Sequence, residues 1–400
     1  MKKHHPKHHP LIVALLVLLA VAAVGALLFW QIVKGQGITP GRTGKPACNG
    51  VAVTAALEEQ EEQTGAFHSI QLKTYGANVR LVPGQRFAIY HKYNTDVFDF
   101  QWQVEDGTLH VWEELTEKYS NKKGTIRMTG AWNLPQDIIE INCPAEYLLR
   151  QIELENTVGD VEMQGCQASG LTVVLEDGDL TMQQCAAGQF TLDSEFGDAI
   201  LVWNGRMAQK AAITMSSGDF HATGLQARDL AIESSYGDVW LQEGRVQTAD
   251  IAMNSGSLTL QEMELTLDGQ IRNDYGEVRF WGGSARGLSI GASSGDVMLL
   301  GQWKGALQVI NEHGDVKIGA LGQASDYGYT LTADAGSIQV GDQYFDPGEE
   351  GGTTASQRGG RSRIEAYSQN GDIRLAFLEA AALEEATASA AGSQGNARGL

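Results

Sequence analysis

From Ile152 to Val340 one short phrase keeps returning: NTVGDVEM, LEDGDLTM, DSEFGDAIL, MSSGDFHA, SSYGDVWL, NDYGEVRF, NEHGDVKI and their kin. Its central glycines are Gly159, Gly178, Gly197, Gly218, Gly237, Gly256, Gly276, Gly295, Gly314 and Gly336, with an outlying copy at Gly371. Neighbouring glycines stand 19 to 22 residues apart, and the last step is 35. A repeat this short cannot bury an apolar face alone, so its copies must stack.

Two and four residues after each glycine the side chain is apolar in every copy, as in Val161 and Met163, Val239 and Leu241, or Val316 and Ile318. Polar residues such as Glu162, His221 and Lys317 stand between them. The same alternation precedes the glycine, as in Leu230 and Ile232 or Leu307 and Val309. Period-2 patterning marks half-buried strands. Each repeat therefore reads as strand, Gly-centred bend, strand and looser connection. The expected fold is all-β: a β-solenoid, or single-stranded β-helix, of about ten 19–20-residue coils stacked about 4.8 Å apart. A meander of hairpins is the competing reading, but hairpins favour Asp-Gly over the Gly-Asp found here. Whether a coil holds one phrase or two stays open.

The rest of the chain sorts around this array. Residues 1–10 form a short basic head, expected to be cytoplasmic, and Leu11 to Val33 carry no formal charge. Twenty-three such residues are long enough for a transmembrane helix, and they outlast the apolar core of a cleaved signal peptide. A linker is expected over 34–65, with one or two helical turns in its acidic part, Ala55 to Gln63. Residues 66–150 read as an antiparallel β lead-in that caps the solenoid, with a hairpin turn at Asp106-Gly107. The solenoid repeats fill 151–340, a flexible insertion 341–363, the final coil 364–378 and a disordered tail 379–400.

The lead-in SIQLKTYGANVRLVPG, DGTLHVWEE and DIIEINCPAEYLLRQIELENTVGDV, followed by the glycine series, resembles a bacterial domain-of-unknown-function family labelled putative adhesin. The resemblance covers roughly residues 66 to 378. It implies an N-terminal anchor and a β-repeat domain outside the cell, and it brings no catalytic residues. Some members of that family are encoded with cell-envelope stress systems. Two functions follow as expectations: an adhesin or surface-interaction module, or an accessory or sensor in an envelope-stress response that acts through a membrane partner.

Charge narrows the partners. The first 45 residues carry six basic residues and no acid, whereas the remainder holds 23 basic and 49 acidic ones. Such an acidic domain excludes nucleic acid as its ligand and leaves a cell-envelope or surface protein or a glycan. No Ser/His/Asp order, HExxH or phosphate loop is present, so no enzyme and no cofactor are expected.

Three further features are candidates for chemistry. The Asp series after the glycines (Asp160, Asp179, Asp198, Asp219, Asp238, Asp296, Asp315, Asp372) reads as bend capping rather than a calcium ladder, because Ser257, Glu277 and Ser337 interrupt it without disturbing the period. Cys166 and Cys185 both stand seven residues after a glycine, as packed thiols or a disulfide. Before the glycines, large and small residues alternate: Phe196, Ser217, Tyr236, Ser255, Tyr275, Ser294, His313. Phe196, Tyr236, Tyr275 and His313 either pack over their small neighbours or form a binding ridge.

Overall fold

The computed structural model describes residues 47–48, 51–52, 57–117, 137–145, 147–347 and 351–380. The expected head, the transmembrane segment, most of the linker and the tail beyond residue 380 lie outside them. Among the described residues no helix is long and apolar enough to cross a membrane. The chain divides into two compact units, residues 1–53 and 54–400. In the first, Ala47–Cys48 pairs antiparallel with Val51–Ala52.

In the second unit one phrase makes one coil. Gln226–Tyr236 runs up to Gly237 and Val239–Gln242 leaves it; the next coil repeats this with Arg245–Ser255 and Leu258–Gln261. The two pair in parallel, Leu230 against Ala249, Ile232 against Ile251 and Val239 against Leu258. Alternate side chains point inward, so Leu230, Ile232, Val239 and Leu241 are all buried. Stacked coils thus wrap parallel ladders around one apolar core.

Positive φ marks two recurrent bends in the coils. At the glycine corner the backbone takes φ of +122° at Gly237 and +124° at Gly256. A Cβ on Gly237 would overlap the carbonyl oxygen of Gly218, and one on Gly256 would overlap that of Gly237. Both the conformation and the contact demand glycine. The second corner falls six residues later, in the left-handed region, at Gly165, Gln184, Gly224, Glu243, Glu262 and Gly282. A shared conformation rather than a shared residue type makes this corner, so no fixed letter marks it.

Both ends depart from the expected order. Ser69–Thr74 and Ala77–Gly84, around Gly76, are themselves a coil, parallel to Leu148–Val158 and Val161–Gln164. On their other side lie Thr108–Leu115 and Asp137–Pro144, again parallel. The lead-in is therefore not wholly antiparallel: its alternating strands carry the same inward face as the repeats and join the stack. Antiparallel pairing here joins Ala88–Asn94 to Asp137–Pro144 and to Leu57–Gln63, and Phe98–Glu105 to Thr108–Leu115 in a hairpin. That hairpin turns at Asp106-Gly107, where both residues have positive φ. Leu57–Gln63 is a strand on Ala88–Asn94, not helical turns. Its glutamates meet Tyr90, Lys92 and Arg86 across the sheet, and these tertiary partners override local helix propensity.

At the other end, Ser362–Asn370 and Ile373–Leu378 lie between Val297–His313 with Val316–Leu321 and Tyr327–Ala335 with Ile338–Val340. The coil around Gly371 is thus the penultimate one, and the coil around Gly336 ends the stack. The expected flexible insertion holds two strands, Gln343–Phe345 and Thr353–Gln357, antiparallel to that last coil. Open strand edges are templates for further pairing, and antiparallel strands cover them at both ends.

The N-terminal cap buries two carboxyls. Glu113 accepts hydrogen bonds from the Tyr75 and Gly76 N–H groups at 3.0 and 2.8 Å, and Asp137 accepts one from the Asn94 N–H at 3.0 Å. Each keeps one buried oxygen without a partner. Burial raises the pKa of both, and the Glu113 charge helps to push Asp137 up to about 7.

Two outcomes follow. Gly237→Ala should lower stability by about 3 kcal/mol or more, read as a fall in the thermal midpoint. A raised carboxyl pKa favours the folded state at low pH, so stability should decline as pH rises from about 4 to about 7. Urea midpoints at pH 5 and pH 8 should converge in Asp137→Asn, whose gain at pH 8 is at most about 4 kcal/mol.

Candidate functional site

The glycine corner carries two columns of side chains, one on each flank. After the glycines run the aspartates. Asp238 N–H donates to Asp219 Oδ1 at 2.8 Å, Asp219 N–H to Asp198 Oδ1 at 2.8 Å, and Asp198 N–H to Asp179 Oδ1 at 2.8 Å. The chain of bonds begins at Asn78, whose Oδ1 accepts from Asp160 N–H at 2.9 Å. It resumes at Asp296, accepting from Asp315, and closes at Ser337 on Asp372. Each carboxylate therefore caps the next coil rather than its own bend. The Ser337 backbone and hydroxyl hold the Asp372 carboxyl below its usual pKa.

This arrangement explains the interruptions. Ser257 receives Asp238 through its backbone N–H, which any residue supplies, so losing one side chain costs only the next bond. Glu277 turns to Arg279 instead. Lys317 lies 3.5 Å from Asp296 and 3.6 Å from Asp315, offsetting the repulsion of stacked carboxylates. No group of three or more His, Cys, Asp or Glu side chains able to hold a metal is found among the described residues.

A third, buried column braces the corner from inside. Asn156, Asn273 and Asn311, three residues before their glycines, are buried. Asn273 Nδ2 donates to the carbonyls of Gly256 and Gly276, both at 3.1 Å, and Asn311 Nδ2 to those of Gly295 and Gly314, both at 3.0 Å. Each amide ties its own corner to the one before. The signal was present in NTVGD, NDYGE and NEHGD, three copies of N-x-x-G with an acid behind it.

Before the glycines stands the aromatic ridge. Tyr236 pairs with Ser255, Ser255 with Tyr275, Tyr275 with Ser294 and Ser294 with His313. Alternate coils hence carry the large residues, placing their backbones about 10 Å apart. Phe196 precedes Gly197, two corners before Tyr236. Tyr236 is 60% exposed, Tyr275 62% and Phe196 48%; His313 is exposed, its Nδ1 3.3 Å from the Ser293 carbonyl oxygen. Most of the two tyrosine rings thus faces solvent.

Beyond the aspartates lies a second outward column that the repeat pattern did not single out. Ile200, His221, Trp240, Thr259 and Arg279 follow one another on successive coils. The His221 and Trp240 rings stack at 4.7 Å and 11°. Together with Asp198, Asp219 and Asp238 they line a shallow groove of about 330 Å³. The other tryptophans of the repeats, Trp203, Trp281 and Trp303, are buried, where Trp203 meets Phe190 and Trp303 meets Phe280. Cys143, Cys166 and Cys185 are free thiols.

The model of the family Toastrack DUF4097 matches twice, over residues 67–239 and 200–376. The chain belongs to this family. The two overlapping matches span the N-terminal coil, the repeats and the inserted penultimate coil.

Several solved structures are similar at low identity. A protein described as a putative lipid binding protein from Parabacteroides distasonis is 11% identical, with a TM-score of 0.35 over 80% of this chain and 96% of that one. One described as a putative adhesin from Bacteroides fragilis is 13% identical, with a TM-score of 0.24 over 82% and 99%. Another so described, from Parabacteroides distasonis, is 9% identical, with a TM-score of 0.30 over 80% and 98%. No curated protein matches.

The capping role of the aspartates can be measured. Asp238→Ala should cost about 1 kcal/mol, the worth of one partly exposed hydrogen bond, and the thermal midpoint should be equal in calcium and in chelator. A midpoint that rises with calcium would make the column a cation ladder instead.

Proposed function

We propose that this chain is a non-enzymatic surface-interaction module, held by a membrane anchor at Leu11 to Val33 and displayed outside the cell. Its partner is a protein or glycan of the envelope or surface. The observation that carries this reading is the ridge of Phe196, Tyr236, Tyr275 and His313. Large side chains stand out on alternate coils with serines between Tyr236, Tyr275 and His313, and a rigid backbone ladder fixes their spacing. Rings so presented lose little conformational entropy on binding and offer faces for stacking on a sugar or an apolar side chain.

Chemical catalysis has less support. The carboxylates of the glycine corner accept backbone hydrogen bonds along the stack, and their spacing repeats without converging on one point. Membership of the family adds an architecture but no reaction.

The test separates packing from binding. Tyr236→Ser with Tyr275→Ser should leave the thermal midpoint within about 2 °C, since both rings are mostly in solvent, and should abolish capture from envelope extract or a glycan panel. A lower midpoint with binding retained would return the ridge to packing. Capture of a membrane signalling protein with the ridge intact would favour the envelope-stress role over adhesion.

A further inference from the structure

Two thiols meet where the array begins. Cys166 follows the left-handed corner residue Gly165, φ +61°, and Cys185 follows Gln184, φ +54°. Identical corners aim the two side chains the same way. The coils are in register there: Gln167 pairs with Ala186, and the Ala186 N–H donates to the Cys166 carbonyl oxygen at 2.9 Å. Neighbouring strands bring such residues about 4.8 Å apart at Cα, inside the range that a disulfide spans. The thiols donate to equivalent backbone carbonyls, Cys166 Sγ to Gln164 and Leu81 at 3.5 and 3.6 Å and Cys185 Sγ to Gln183 and Met163 at 3.4 and 3.5 Å. Interaction between the two lowers the pKa of Cys185 and raises that of Cys166.

Packing does not require this pair. Later coils place Leu225, Gly244 and Met263 at the same offset. Cys185 is fully buried, whereas Cys166 is partly exposed. Cys143 pairs with Pro83 rather than with a repeat coil, and burial pushes its pKa up to about 12.

We infer that Cys166 and Cys185 form a thiol–disulfide exchange site for low-molecular-weight disulfides, closing into a bond that staples the Gly159 coil to the Gly178 coil. One of the two, as its thiolate, attacks one sulfur of the external disulfide and expels the first thiolate, forming a mixed disulfide. The other then attacks that protein sulfur, expels the second thiolate and closes the intrachain bond. The two protons of the protein thiols end on the two released thiols. Two protein sulfurs are oxidised and one external disulfide is reduced, so the exchange balances.

The full chain, reduced and held in mild detergent, is exposed to oxidised glutathione and alkylated after unfolding. Two of its four cysteines should escape alkylation. Cleavage at acidic residues should leave the peptides of Cys166 and Cys185 joined, since Glu176, Asp177 and Asp179 lie between them. Oxidation should raise the thermal midpoint by roughly 5 °C, reversibly with dithiothreitol. Cys143→Ser should leave the bond intact. Cys185→Ser should stop at a glutathione adduct on Cys166, readable by mass even if that variant is less stable. Four alkylated thiols after oxidant, or a bond that needs Cys143 or Cys48, would overturn the assignment.

Discussion

Everything in the array depends on how closely one glycine approaches the next. At the corner the α-carbon of each repeat glycine after Gly159 lies against the carbonyl of the glycine one coil before, leaving no room for a methyl group. That contact sets the rise between coils and keeps the ladders on both flanks in register. The Asp column outside and the Asn column inside act on the same few atoms, one capping the following N–H and the other gathering two glycine carbonyls. A corner stripped of side chain is thus braced from both sides, in keeping with the rule that buried backbone groups find partners.

Much of this was legible in the residues, and the reason is physical. Steric exclusion at Gly237 and burial at Val239 and Leu241 act identically in every coil, so they print a periodic record. The Asp series was readable as capping, though its partner turned out to be the next coil. The second corner left no record, because Gln184, Glu243 and Glu262 reach the left-handed region without being glycine. Nor did the His221–Trp240 stack, which occurs once and has no period.

The ends were misread for a related reason. The letters of SIQLKTYGANVRLVPG say that these strands have one buried face, but not which neighbour covers it. Only the pairing of Gln151 with Ser69 and of Lys73 with Trp112 shows a coil laid between two that come later in the chain. Likewise, the acidic run of Leu57–Gln63 took its conformation from cross-strand partners such as Lys92. Of the candidate ridge, the alternation was plain in the letters; its exposure depended on the direction in which the strands turn.

The inserted coil near the C-terminus has a mechanical consequence. In an ordinary solenoid the last coil has one neighbour and can peel away alone. Here the last of the described strands, Ser362–Asn370 and Ile373–Leu378, are clasped between two other coils. Drawing them out breaks two ladders at once and leaves the coil around Gly336 without support. Withdrawing those strands therefore disturbs two coils together, and the stack is locked by the order in which its chain was laid down.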